Sequence, residues 1–511
     1  MKSRTENVAR NLKSSVLFQI TNILIKFLLR TVFIYTLGKE YLGVNGVFTN
    51  ILTVLSLSEL GLGTAIVYDM YRPIAEKDTE KEIQLFKFYR YIYAAVGSVI
   101  LILGFLLVPF LKYIIKDVPN VSHLYLIYCL QLISTSASYF FAQYRSLLDA
   151  HQLNSINTNN NWIFAIIKTA AQIGILIFLK SYILFLLTDL AVTVLSNYMI
   201  ALKCRKMFPY IASTVKKAVL VDKGHIFKNA MSMFSIKVGI TVVNATDNLL
   251  ISAFISTILV GMYSNYSMIT SVITASTMMI SSSLQASVGN LCVAKNYKKT
   301  AGVFEKIRFL YVSLYAIICV CMISLINPFI ELWAGTEYVL DSRIVFVIVL
   351  NLYLTGVHQP IEVFLYADGL FRYFKIKPWI EAAINLLVSI ALAKPLGIIG
   401  IFIGTTVSHV TTTLWYDARI VYKYSLHEKL KNYWVQYFKY AVPTFTMGVL
   451  LAFGAERINP FANPYLSFVV KLILVFVLSA SGWVLLFGRT EQFKYYLTAA
   501  LSKLQRKIKT I

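Results

Sequence analysis

Apolar stretches of about twenty residues recur along the whole 511-residue chain, and nothing constrains its fold more. A helix rises about 1.5 Å per residue, so twenty residues match the ~30 Å hydrocarbon core of a bilayer. Such spans are read at 14–37, 43–71, 88–111, 121–148, 161–180, 182–202, 226–255, 259–290, 307–332, 344–367, 377–393, 396–417, 435–455 and 465–488. Backbone polar groups in hydrocarbon must be satisfied within the segment, so an all-α polytopic membrane protein of about 14 transmembrane helices is expected. Composition agrees: 58% hydrophobic and 14% charged residues, against about 25% charged in soluble domains. A soluble enzyme, a disordered chain and a disulfide scaffold are thereby excluded. The five cysteines show no metal-type spacing, and no metal centre is expected.

The formal charge of +24 would suggest nucleic acid in a soluble protein. In a membrane protein the placement of Lys and Arg comes first, because cytoplasmic loops retain them. With the N-terminus inside, the inside segments hold 35 Lys and Arg and the outside loops 7. That bias explains the basic charge without nucleic acid. It predicts a multi-pass protein of the cytoplasmic membrane with both termini cytoplasmic. The first span carries Lys26 and Arg30 and is too long for a cleaved signal peptide. The tail 489–511 reads as a basic amphipathic helix on anionic lipid.

The second half of the chain echoes the first. Leu42-Gly43 matches Val260-Gly261 at an offset of 218, as do Phe86, Arg90 and Tyr93 with Phe304, Arg308 and Tyr311. Pro109-Phe110 matches Pro328-Phe329, and Asp149 matches Asp368, at 219. Each repeat holds six spans, so both enter the membrane in one orientation. The expected layout is two parallel six-helix repeats around a central cavity plus two extra C-terminal helices. The predicted segments are an N-terminal lobe 1–207, a cytoplasmic linker 208–225, a C-terminal lobe 226–423, two further helices in 424–488 and the tail. Like-oriented bundles around a cavity suit alternating access, which points to a transporter.

Charged groups in hydrocarbon cost at least ~2.5–3.5 kcal/mol each and normally face a cavity, a partner or water. Ser15, Gln19, Asn22, Lys26 and Arg30 share one helical face of the first span, with Lys26 about 20 Å from its inner end. The 218 offset carries Gln19, Lys26 and Arg30 to Lys237, Asn244 and Asn248 of the seventh span. Two readings stand for the cations. In one, Lys26 forms a structural ion pair with Glu59. In the other, Arg30, Lys26 and Lys237, with Gln19, Asn244 and Asn248, bind an anionic headgroup, Arg offering bidentate contacts to phosphate. Asp247, Glu381, Asn385 and Thr405 could ligate Na⁺, or a carboxyl among them could take a proton, as the coupling ion. The simpler expectation for Glu381 is a solvated carboxylate near the end of its helix. Lys168 and Asp189 are expected to pair or to line one lobe, and Gly397, Gly400 and Gly404 to form a packing stripe.

No nucleotide-binding, dinucleotide or zinc-protease motif occurs in the sequence, so neither catalysis nor a cofactor is expected. The segment from Leu37 to Asp78, LGKEYLGVNGVFTNILTVLSLSELGLGTAIVYDMYRPIAEKD, resembles the opening of Wzx-type polysaccharide flippases. These belong to the multidrug/oligosaccharidyl-lipid/polysaccharide exporter superfamily. The likeness extends to GIIGIFIGTT, Gly397 to Thr406, and to the six-plus-six-plus-two plan. The resemblance implies a flippase for undecaprenyl-pyrophosphate-linked oligosaccharide in capsule or exopolysaccharide synthesis. A polymerase and glycosyltransferases of the same pathway would be its partners. It implies cations of the first, second, seventh and eighth helices meeting pyrophosphate or acidic sugars; here Arg30, Lys26 and Lys237 stand on two of those helices, whereas the second and eighth offer Glu59 and hydroxyls. The alternatives are a cation-coupled drug antiporter of the same superfamily, a teichoic-acid precursor flippase, or a membrane polysaccharide polymerase.

Overall fold

Gly38 adopts a φ of 80° with an extended ψ, a conformation open to glycine alone, and it breaks the first helix of the chain. That helix, α1 (Arg4–Leu55), belongs to a computed structural model that describes residues 4–56, 62–115, 121–212, 239, 241, 245–370, 373, 376–458 and 460–508. Over 4–20, 62–66, 68, 212, 286 and 503–508 it describes the backbone course alone. The regular elements among the described residues are all helical. They continue as α2 (Leu62–Glu76), α3 (Thr79–Leu107), α4 (Leu124–Tyr139), α5 (Ala142–Ala150), α6 (Asn154–Leu179) and α7 (Tyr182–Met207). After a short helical turn at Ile251–Ile255 come α8 (Thr257–Val293), α9 (Tyr297–Ala334), α10 (Ser342–Ala367) and α11 (Lys377–Leu396). The apolar stretch Ile398–Leu426 forms α12, and α13 (Leu430–Arg457), α14 (Pro464–Phe487) and α15 (Glu491–Ile508) complete the chain.

Among the described residues twelve helices are long and apolar enough to cross a membrane, against fourteen read from the sequence. Two differences account for the gap. The predicted span 14–37 and the first part of 43–71 share α1, which Gly38 divides at the point where a loop was expected, while 62–71 belongs to α2 and 57–61 lies outside the described residues. The predicted span 226–255 lies largely outside the described residues, with Ala245–Ile255 as its apolar described part.

Side chains close the helix ends as their polar groups demand. The Asp78 carboxylate accepts from Lys81 N at 3.0 Å, Asn296 Oδ1 from Lys299 N at 3.1 Å, and Asn463 Oδ1 from Tyr465 N at 2.9 Å. Pro464 stands at the first position of α14, where its missing N–H costs nothing.

The chain divides into two compact units, Met1–Ser264 and Asn265–Ile511. In the first, α1 packs on α6, and α4 packs between α3 and α7. In the second, α9 is the central element, packed by α10, α13 and α14. Its Val320 and Leu325 form one core with Ala455 of α13 and Val475 of α14. Two glycines of the predicted stripe are packing, since a Cβ on Gly404 would overlap Ser389 of α11 and one on Gly400 the Leu392 backbone, whereas Gly397 has no neighbour within 4 Å and turns the chain between α11 and α12 at a φ of 61°.

Candidate functional site

In the first unit the residues that the repeat equates meet each other. A Cβ added to Gly261 at the start of α8 would lie 2.9 Å from Gly43 N, and one on Gly43 would overlap the Thr257 carbonyl. Only glycine at both positions lets the two backbones approach this closely. One turn beyond Gly261, Ser264 Oγ donates to the Gly261 carbonyl at 2.6 Å and accepts from Arg30 Nη2. The half-buried Arg30 guanidinium is thus held against the start of α8. Lys26, one turn earlier on α1, is exposed, and no ion pair to it occurs among the described residues.

The other residues expected to bind substrate divide in two. Asn248 is half-buried, and its Oδ1 has no hydrogen-bond partner among the described residues. Lys237, Asn244 and Glu59, and with Glu59 the expected pair to Lys26, lie outside the described residues; Gln19 is described in its backbone alone.

A second polar centre of this unit lies between α4, α6 and α7. Lys168 Nζ stands 2.9 Å from Asp189 Oδ1, and Ser134 Oγ donates to Asp189 Oδ2 at 2.7 Å. Two cavities adjoin the pair. One, of about 380 Å³, has Asn45, Gln131 and Asp189 on its wall. The other, of about 410 Å³, has Lys168, Arg145 and Asn197. Arg145 donates to Asn197 Oδ1 at 2.9 Å and to Asn161 Oδ1 at 2.7 Å. Farther along, Glu82 Oε1 accepts from Tyr210 Oη at 2.8 Å and lies 2.7 Å from His151 Nε2. Burial and that bond push the Tyr210 hydroxyl above its ordinary pKa, because both disfavour a second negative charge beside the carboxylate.

In the second unit the residues nominated for ion coupling separate. Asn385 Nδ2 donates to Thr405 Oγ1 at 2.9 Å, joining α11 to α12. Glu381, one turn before Asn385, is buried rather than solvated. Its carboxylate lies 3.2 Å from Lys377 Nζ and 3.1 Å from His409 Nδ1, and accepts from Thr413 Oγ1 at 2.9 Å. Lys377 also stands 2.9 Å from Asp417, which His358 Nε2 approaches at 3.1 Å. This buried cluster joins α10, α11 and α12. Asp247 belongs to the first unit and is half-buried there. Sequence reading missed His358, Lys377, His409 and Asp417. The available signal was two series at four-residue spacing, Lys377/Glu381 and His409/Thr413/Asp417, which place like polar groups on one helical face.

The hydroxyls of α8 serve a further buried network. Gln359 Nε2 donates to Thr277 Oγ1 at 2.9 Å and to Tyr315 Oη at 3.2 Å, while Ser281 Oγ lies 2.6 Å from Tyr311 Oη. Every member is within reach of a partner, so the network stiffens α8, α9 and α10.

No family model and no curated protein matches the sequence. Solved structures do match. The fold is similar to that of the lipid II flippase MurJ in an inward closed conformation, with a TM-score of 0.63 and 17% identity over 92% of this chain and 99% of that one. It is also similar to an inward-facing multidrug resistance MATE family transporter of the MOP superfamily, with a TM-score of 0.57 and 14% identity over 78% of this chain and 94% of that one. The Vibrio cholerae MATE transporter VcmN matches with a TM-score of 0.57 and 15% identity over 83% of this chain and 98% of that one. At these identities the likeness is one of fold.

Proposed function

We propose that the protein is a transporter that turns a lipid-linked oligosaccharide, carried on undecaprenyl pyrophosphate, across the cytoplasmic membrane by alternating access. Its product would feed capsule, exopolysaccharide or a related surface polymer, alongside a polymerase and glycosyltransferases. The observation that carries this reading is the pair Lys26 and Arg30, two cations one turn apart within a membrane span. A lipid tail stays in the bilayer while its anionic, glycosylated head crosses, so the protein must offer the head cations and hydrogen-bonding groups. An Arg fork meets phosphate oxygens in bidentate fashion, and each such charged hydrogen bond is worth about 1.5–3 kcal/mol. The fold supports the reading, since one solved structure that shares it is named a lipid II flippase and matches 92% of this chain.

A second reading, a cation-coupled drug antiporter, draws on the MATE likenesses and on Asp189 at the wall of a cavity. In either reading Na⁺ or a proton would supply the energy, with Asn385 and Thr405 as candidate oxygen ligands.

Full-length protein in vesicles separates the two. Wild-type protein is expected to expose undecaprenyl-pyrophosphate-linked oligosaccharide to an external glycosidase. Arg30→Ala should slow this at least about tenfold while the elution profile stays that of the folded protein. Ethidium uptake without lipid translocation, or normal translocation by R30A, would overturn the proposal. Collapse of the sodium or proton gradient should slow wild-type translocation.

A further inference from the structure

We propose that the cavity of about 380 Å³ in the first unit is a saccharide subsite, taking one or two sugar residues of the glycosylated headgroup. The inference rests on the flippase reading and gives its headgroup two separate places of contact.

The wall of this cavity comes from α1, α4 and α7, and its chemistry leans toward hydrogen-bond acceptors. Thr49 Oγ1 and Thr53 Oγ1 donate to backbone carbonyls one turn back, those of Asn45 and Thr49, both at 2.7 Å. With their protons committed, both hydroxyl oxygens offer lone pairs to whatever enters. Gln131 is buried, and its Nε2 donates to Asn45 Oδ1 and to Tyr182 Oη, each at 3.0 Å. Tyr182 Oη closes the triangle by donating to Asn45 Oδ1 at 2.9 Å. That arrangement leaves Gln131 Oε1 with no hydrogen-bond partner among the described residues. Gln131 Oε1 is itself sealed from water, so the lone pairs that an entering hydroxyl meets are those of the exposed Thr49 and Thr53, on a wall whose shape the Gln131, Asn45 and Tyr182 triangle holds.

Charge then selects among donors. The negative charge of Asp189 is already offset by Lys168 at 2.9 Å, and its second oxygen accepts from Ser134. A bare cation would find the carboxylate taken, whereas neutral hydroxyls find the acceptors they need. Phosphate, which demands donors, is poorly served here and well served by Arg30. Phe185 adds an aromatic face to the wall, which suits the C–H face of a pyranose. The volume lies at the lower end of the ~300–1,000 Å³ typical of small-molecule sites.

Binding to full-length protein in nanodiscs tests this with two probes, undecaprenyl pyrophosphate alone and the same lipid carrying a single hexose. Wild-type protein should prefer the glycosylated lipid. Thr53→Val and Thr49→Val, both at exposed positions of the wall, should each cut that preference roughly three- to tenfold, the loss of about one neutral hydrogen bond. Affinity for the bare lipid should not change. Equal affinity of wild-type protein for both lipids would overturn the subsite and leave the flippase reading intact. The subsite also fails if T53V weakens both lipids equally, or if it weakens sodium or ethidium binding and leaves the sugar preference untouched. Binding of neither lipid would remove the flippase reading itself.

Discussion

Helices α3 and α9 hold the same place in the repeat, yet one is a surface element and the other a core. Their starts agree: Phe86 meets Tyr144 edge-on at 5.3 Å, and Phe304 meets Phe364 at 5.2 Å. Farther along they part. Ile102 of α3 is 59% exposed, whereas Val320, its equivalent 218 positions on, is fully buried. Over the most apolar window of each span, 22% of residues are buried in the α3 span and 61% in α9. The difference comes from α13 and α14, which follow the second repeat and have no counterpart after the first. Trp483 of α14 donates its indole N–H to Ser313 of α9 at 2.9 Å, and a Cβ on Gly448 of α13 would press on Ile323 at 2.8 Å. In a bilayer, apolar surface is equally satisfied by lipid, so packing of small and large residues decides the contact. The lesson is that a repeat fixes where a helix runs, while added neighbours decide what it is for.

The same contrast holds where the fourth, fifth and sixth helices of each repeat are joined, and this gives the largest expected effect. In the first unit one guanidinium, Arg145, is satisfied by neutral amides. In the second, Lys377 holds two buried carboxylates, Glu381 and Asp417. Lys377→Met would leave negative charges in the interior with less than their due compensation, at a cost of about 3–5 kcal/mol. Arg145→Met would leave amides unpaired, at a cost of about 1–3 kcal/mol. Denaturation of the purified protein in detergent should therefore place K377M well below R145M. The reverse order would mean that His358 and His409 carry the cluster without the lysine.

Glycines sharpen the comparison at the next level. Gly356 of α10 lies against the Tyr315 ring of α9, so that a Cβ there would overlap the ring edge. In the first unit the glycine has changed helices: Gly97 of α3 faces Tyr139 of α4, and a Cβ would lie 3.2 Å from Tyr139 Cβ. Gly356→Ala must displace Tyr315 and break its bonds to Thr277 and Gln359, costing about 3 kcal/mol. Gly97→Ala asks for a shift of a few tenths of an ångström and should cost about 1 kcal/mol. Melting temperatures of the two variants check the order, and equal shifts would show that the Tyr315 network adds nothing.

How much of this could be read in advance follows from which forces act along the chain and which act between helices. A bilayer imposes one length on every span, so most spans were legible to within a few residues, as Tyr182–Met207 against 182–202 and Pro464–Phe487 against 465–488 show. Gly43 and Gly261, matched in the sequence by offset alone, lie against each other. Gly38 was harder, because a single glycine in an apolar run reads as a loop or as continuous helix. The surroundings of Glu381 were not legible. Its place near a helix end suggested water, but solvation depends on which faces of α10 and α12 close over it, and no local pattern encodes that. For the candidate site, the cations of α1 stood out because charge in hydrocarbon is rare. The sugar-sized cavity did not, since Asn45, Gln131 and Asp189 come from three helices far apart in sequence.

The smallest effect returns to α3 and α9. Val320→Ala removes two methyl groups from a core shared by α9, α13 and α14, and should cost about 2 kcal/mol as a cavity opens that lipid cannot reach. Ile102→Ala removes more hydrocarbon from the equivalent position, yet its side chain is exposed to the surroundings of the protein rather than to a partner helix. Lipid or detergent fills the space, and the expected change is about zero. A fall in melting temperature for I102A as large as that for V320A would mean that α3 also has a partner over its apolar face. The two repeats would then differ in which chain supplies the cover, and not in whether they have one.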